Sequence, residues 1–240
     1  MALIEGRDMF STIRNTARFC LLLPENGAGS AAGVLYLLPV RRGLATDWVR
    51  YTCIEQAARE KNLAVIMPEG IGSDFCNMVY GMKWWDFLTE EFPAYLKAVF
   101  GIPDSSFCSF GAEMGGEASI RLGLCCPERC KAAGAAGADF LRVSGYAEGK
   151  ISGDDLVSVY GERPVAEDVL NRADPVRLAG KRKEKTPDLY LHPRDTGADI
   201  LAEAAGQRVR WLQSGSTGWK KYGECLEEFL ENISNPGGSV

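Results

Sequence analysis

Phe110-Gly111-Ala112-Glu113-Met114-Gly115-Gly116 is the stretch that decides how this chain folds. Its glycines stand two residues on either side of a central position, the spacing of the G-x-S-x-G turn that carries a strand sharply into a helix. The backbone beside such a turn is crowded, and only residues without a Cβ fit there. Gly111 and Gly115 meet that demand, so a tight turn with φ above zero at Glu113 is predicted. The serine that belongs at the centre is missing. A carboxylate has no hydroxyl proton for a histidine to remove, so serine chemistry cannot start at Glu113. The motif predicts a fold more firmly than a reaction.

Working outward, Ser106 to Phe110 reads as the strand entering the turn, and Met114 to Leu124 as the helix leaving it, ended by Cys126-Pro127. Arg18 to Pro24, Gly33 to Leu38, Asn62 to Met67, Lys131 to Ala138, Leu189 to His192 and Arg208 to Leu212 have strand length and apolar character. Helical spacing of apolar residues marks Thr52 to Lys61, Trp85 to Phe100 and Gly223 to Ile233. Buried strands alternating with helices predict an α/β architecture, a doubly wound and mainly parallel sheet covered on both faces. Asp139 to Pro187 is less regular and reads as an insertion over the carboxyl edge of the sheet. Its charge run, Lys181-Arg182-Lys183-Glu184-Lys185, reads as a solvated loop, and the tail from Asn235 as frayed.

The 240 residues and 46% hydrophobic content suffice for one sizeable core. A net charge of -5 argues against a general nucleic-acid binder. No apolar run has the length of a membrane span and no signal segment opens the chain, so a cytoplasmic protein with no membrane partner is expected. The eight cysteines contain no C-x-x-C pair, and His192 is the only histidine. Buried reduced thiols are expected, with no metal site and no cofactor. Cys108 lies near the turn and reads as a small core residue.

Five segments carry a resemblance. Val34-Leu35-Tyr36-Leu37-Leu38 and Ala64-Val65-Ile66-Met67-Pro68 are the first two; Tyr80-Gly81 followed by Glu90-Glu91-Phe92-Pro93 is the third. Met114-Gly115-Gly116 with Pro127-Glu128-Arg129 is the fourth, and Trp219 with Leu226 and Phe229 the fifth. In order and spacing the chain resembles the putative-esterase family of α/β hydrolases, which includes tributyrin esterases, S-formylglutathione hydrolases and feruloyl esterases. The likeness runs from about Met1 to Ile233 and is nearest to the small intracellular tributyrin-esterase type. It implies a single α/β-hydrolase domain over residues 1–240, with 139–187 as a lid, and a serine carboxylic-ester hydrolase activity.

The departures fall where the family's catalysis lies. Glu113 takes the nucleophile position. The His-Gly oxyanion signature after Leu38 is replaced by Pro39-Val40, followed by Arg41-Arg42-Gly43. In Gly215-Ser216-Thr217-Gly218-Trp219, Thr217 stands where the catalytic histidine is implied. Asp195 is near the implied acid position, although ungapped counting puts Gly197 there. Met114, Val40 and Arg41 fall at the implied oxyanion and pocket positions; Trp84 and Trp85 line a pocket or belong to the core. A carboxylate nucleophile at Glu113 would still need an imidazole to activate water. An unreactive carboxylate at a helix N-terminus, favoured by the helix dipole, is the preferred reading. A carboxylate in an apolar cleft needs a partner, and Arg41 in the facing loop is the expected one.

The expected protein is therefore a pseudo-esterase with a degenerate triad and a binding or scaffold role. The alternatives are an ester hydrolase with a rearranged site using Glu113 or His192, and a structural subunit of an oligomer. A small acyl or aromatic ligand in the cleft and assembly into a homo-oligomer are the expected partnerships.

Overall fold

A computed structural model describes residues 1–181, 187–206 and 209–234. Among them, eight strands form one sheet in the order β1-β2-β4-β3-β5-β6-β7-β8. They are β1 (Ala2–Phe10), β2 (Asn15–Leu23), β3 (Gly33–Leu38), β4 (Leu63–Pro68), β5 (Phe107–Ala112), β6 (Cys130–Ala136), β7 (Asp188–Leu191) and β8 (Val209–Trp211). β1 and β2 form an antiparallel hairpin, β2 pairs antiparallel with β4, and every later pairing is parallel. β4 shows why such strands read as unbroken apolar runs. Ala64 and Ile66 join the core on one face of the sheet, Val65 and Met67 the core on the other.

The helices are α1 (Asp47–Tyr51), α2 (Ile54–Glu60), α3 (Trp84–Asp86), α4 (Phe92–Phe100), α5 (Met114–Cys125), α6 (Arg142–Ala147), α7 (Asp154–Tyr160), α8 (Glu167–Ala173), α9 (Pro175–Lys181), α10 (Ala198–Ala205) and α11 (Gly218–Ser234). The helix expected over 85–100 is interrupted by a π-helical turn, Phe87–Glu91, between α3 and α4. The cause stands two residues after that turn. Pro93 has no N–H to donate to Thr89, and the N–H of Phe92 reaches back to Phe87 instead. Every residue of α5 from Met114 to Leu124 is buried, so the helix leaving the elbow is the central helix of the domain.

Residues 139–181 are more regular than their sequence predicts. They contain α6 to α9, each six or seven residues long. Val143, Tyr146, Leu156, Val159, Tyr160, Val169 and Leu170 form a satellite core with Cys76 of the loop after β4. Helices so short offer barely two turns of periodicity to read. The expectations for the charge run from Arg182 and for the tail fall outside the described residues. No helix among those described is long and apolar enough to cross a membrane.

Candidate functional site

Glu113 occupies the turn between β5 and α5 with φ 51° and ψ -121°. Its N–H donates to the Ala136 carbonyl at 3.0 Å, and its own carbonyl accepts from Gly116 and Glu117 at 2.9 and 3.1 Å. A Cβ on Gly111 would collide with the Gly115 carbonyl, and one on Gly115 with the carbonyl oxygens of Leu38 and Pro39. The elbow is therefore packed against the end of β3, and the retained glycines are what permit it. A non-glycine residue held at positive φ in so tight a turn marks a backbone that the surroundings over-determine.

The Glu113 carboxylate is half-buried, and its Oε1 accepts the Tyr222 hydroxyl at 2.9 Å. Burial, then the hydrogen bond to Glu113, pushes the Tyr222 phenol well above its usual range, so it stays protonated and donates. Lys221, one residue earlier on the first turns of α11, places Nζ 2.8 Å from Asp195 Oδ1. Asp195 also accepts the N–H groups of Gly137 and Ala138 at 2.8 and 3.1 Å. Both carboxylates of the site thus receive a donor from consecutive residues of α11. Trp219 anchors that end of the helix, stacked on Tyr51 and edge-on to Trp48 with centroids at 5.0 and 5.2 Å.

Arg41 does not pair with Glu113. Its Nη1 lies 2.6 Å from Asp74 Oδ1, a partner that the sequence reading missed. The expected ion pair is corrected accordingly: Asp74 is almost fully buried and offers a better-desolvated carboxylate than the half-open Glu113. Thr217 is exposed in the β8–α11 loop, and its carbonyl accepts the Lys221 N–H at 3.5 Å. His192 is buried: its Nδ1 accepts the Arg194 N–H at 3.2 Å and its Nε2 faces the Ser214 carbonyl at 3.3 Å. Both ring nitrogens are therefore occupied. Met114 is buried at the start of α5 and Val40 is half-buried, its carbonyl accepting from Gly43 at 2.9 Å. Trp84 belongs to the core, edge-on to Phe87 at 5.6 Å; Trp85 is half-buried beneath Arg121.

A second polar cluster begins one turn along α5. Asp74 accepts from Arg41, from Arg142 Nε at 3.1 Å and from the Tyr160 hydroxyl at 2.8 Å. Burial pushes its carboxyl up, but Arg41 and Arg142 outweigh burial and hold it below the usual carboxylate range. Glu117, also buried, accepts the Asp139 N–H at 3.4 Å. Burial, with the Asp74 charge adding to it, pushes the Glu117 carboxyl well above the usual range. A sequence signal for this cluster existed. Glu117 and Arg121 are charged residues four apart on a helix otherwise made of small and apolar residues, and charges placed there need partners.

A family model described as "Putative esterase" matches residues 11–240. Among solved structures, the chain is similar to FphF of Staphylococcus aureus, described as a fluorophosphonate-binding serine hydrolase, with a TM-score of 0.80, 20% identity and 98% of each chain covered. FrmB, an S-formylglutathione hydrolase from the same organism, gives a TM-score of 0.77 at 21% identity over 98% of this chain and 99% of that one. An S-formylglutathione hydrolase from Agrobacterium tumefaciens gives 0.80 at 16% identity over 98% and 95%. No curated protein matches the chain in sequence.

Proposed function

The chain belongs to the putative-esterase family of α/β hydrolases, and from that premise we propose that it has left ester hydrolysis behind and acts as a binding protein on the hydrolase fold. The observation that carries this reading is Glu113 at the elbow with the Tyr222 hydroxyl on its carboxylate. An acyl-transfer elbow needs a nucleophile that a neighbouring base can activate, and a base free to deliver water afterwards. A covalent ester on Glu113 would have to be cleared by water, and among the described residues the candidate bases are engaged elsewhere. Lys221 is bound to Asp195, and His192 has both ring nitrogens engaged. The ligand class that the family resemblance suggests is a small acyl or aromatic molecule.

The test is hydrolysis of p-nitrophenyl acetate and butyrate, alongside labelling by a fluorophosphonate probe. No labelling is expected, and no turnover beyond the residual ~10³-fold over water that an oxyanion site alone can give. Glu113→Ser should not restore hydrolysis, because the base is still missing. Turnover on the order of 1 s⁻¹ or more, abolished by Glu113→Gln, would overturn the proposal in favour of a rearranged hydrolase.

A further inference from the structure

Beside the elbow, three arginines surround a single contacting carboxylate. Arg41 and Arg142 each give Asp74 one N–H, at 2.6 and 3.1 Å. Arg121 takes the backbone of the same loop, with Nη2 2.7 Å from the Asp74 carbonyl and 3.0 Å from that of Phe75. Its Nη1 meets Cys76 Sγ at 3.3 Å and the Ala173 carbonyl at 3.4 Å, and the guanidinium lies 4.7 Å from the Trp85 ring centroid. Among the described residues, the only other acid near these cations at ion-pair range is Asp155, whose Oδ2 is 4.0 Å from Arg142 Nη2 and which is itself well exposed. Glu117 makes no ion pair with them, and burial, with Asp74 adding to it, pushes its carboxyl well above the usual range.

The placement of Asp74 is itself a built feature. Asp74 and Phe75 both have positive φ, 48° and 49°, although neither is glycine. Consecutive residues of that kind persist only where the surroundings force them, and such strain clusters at ligand sites. Here the fully buried Arg121 fixes the strained turn by its carbonyls. The turn aims the Asp74 carboxylate, with the Tyr160 hydroxyl on its far oxygen. The carboxylate then splays Arg41 and Arg142 from its two oxygens. A guanidinium carries five donors in a planar fork. Neither arginine spends its fork on Asp74, and their side chains remain 24% and 16% exposed. The cluster borders the old catalytic centre, because the loop bearing Arg41 follows Leu38 and Pro39, which pack on Gly115.

From this juxtaposition we propose that Arg41 and Arg142 bind the oxyanion head of a small organic acid, a carboxylate or phosphate, with Asp74 as the positioning residue. The inference rests on the binding-protein reading and supplies its ligand class: the acyl or aromatic body lies toward the elbow and the acid group on the arginine pair. Planar carboxylates and phosphates match the guanidinium fork, whereas a neutral amide of the same shape does not.

The test is titration calorimetry with sodium benzoate, butyrate and phenyl phosphate against benzamide and butyramide, at constant ionic strength. At least one acid should bind at least tenfold more tightly than the amides. Arg41→Lys and Arg142→Lys keep a cation on Asp74 but lose the fork; each should keep the wild-type unfolding midpoint to within a few degrees and weaken acid binding tenfold or more. Acids that bind no better than amides, no binding at all, or full affinity in both folded lysine variants would overturn the proposal. Ester turnover is measured separately. Efficient hydrolysis with arginine-dependent acid binding would sink the pseudo-esterase reading and leave this site standing.

Discussion

Replacing Asp74 by asparagine removes one negative charge from between two arginines and leaves the shape of the side chain. The carboxylate is 3% exposed and accepts three donors, from Arg41, Arg142 and Tyr160. Asparagine keeps one acceptor oxygen, but its amide must turn an N–H toward a guanidinium or the tyrosine hydroxyl. Removing one partner of a buried ion pair costs about 3–5 kcal/mol. Both arginines keep part of their surface in water, which places the loss at the lower end, about 3 kcal/mol. At about 2–4 °C per kcal/mol for a domain of this size, the melting temperature should fall by about 6–12 °C. In urea, with a slope of about 3 kcal/mol/M, the midpoint should move by about 1 M.

The pH dependence gives the same prediction a second edge. The folded-state value of Asp74 lies below the usual carboxylate range because Arg41 and Arg142 outweigh burial. A group of that kind contributes its stabilisation fully above its unfolded value of about 3.9, and loses it as pH falls through the folded value. The deficit of Asp74→Asn should therefore be constant from about pH 5 to 8 and shrink below about pH 4. Urea melts of both proteins across that range test it. A loss below about 1 kcal/mol at pH 7, or a deficit that widens toward acid, would refute the assignment of Asp74 as a buried ionised hub.

Gly115→Ala should cost about 1–3 kcal/mol or more, since its Cβ would meet two backbone carbonyls that no side-chain rotation can move; an unchanged melting temperature would contradict the packing of the elbow on β3. Glu117→Gln should stabilise the protein at neutral pH. Its folded carboxyl is raised by burial and by Asp74, so the native state holds a proton that the unfolded chain releases above about pH 4.3, and stability falls as pH rises. The glutamine removes that slope, so its advantage should grow as pH rises above about 4.3, and an advantage that shrinks with rising pH would contradict the direction. Tyr222→Phe should lose about 1 kcal/mol, and combined with Glu113→Gln it should lose less than the sum. Strict additivity in that cycle would show that the hydroxyl and the carboxylate do not interact.

The parts of the fold that the sequence reveals are those where burial is two-sided or backbone is crowded. β3, β4, β5 and β6 read as strands because both of their faces are covered, and the elbow reads as a turn because Gly111 and Gly115 have no substitute. β1 went unread for the opposite reason. It is an edge strand, most of its side chains lie outside the core, and Gly6 sits where the Phe19 ring fills the space of a side chain. Within the site, Glu113 was legible from the glycine spacing around it, and Asp195 only as a residue near the acid position that the resemblance implies. Tyr222 and Asp74 were not, because each is defined by a partner more than 30 residues away in the chain, Glu113 for one and Arg41 for the other. The Arg41 expectation had the right physics and the wrong carboxylate: a buried acid was needed, and two acids lay within the same edge of the sheet.

The choice between those acids follows from what each loop can reach. Glu113 is only partly buried, so one neutral hydroxyl is an adequate partner, and Tyr222 supplies it without bringing in a second charge. Asp74 is shut away and demands cations, and the arginine loop after β3 and the start of α6 provide them. The same division accounts for Lys221. Asp195 takes two backbone N–H groups and a cation from α11, the neighbour of the tyrosine that serves Glu113, and has His192 Nδ1 3.6 Å away. One helix end, anchored by Trp219 on Trp48 and Tyr51, therefore supplies a donor to both carboxylates, Tyr222 to Glu113 and Lys221 to Asp195. Changing Glu113 alone leaves those contacts in place and supplies no base, which is the physical ground for predicting no ester hydrolysis from Glu113→Ser.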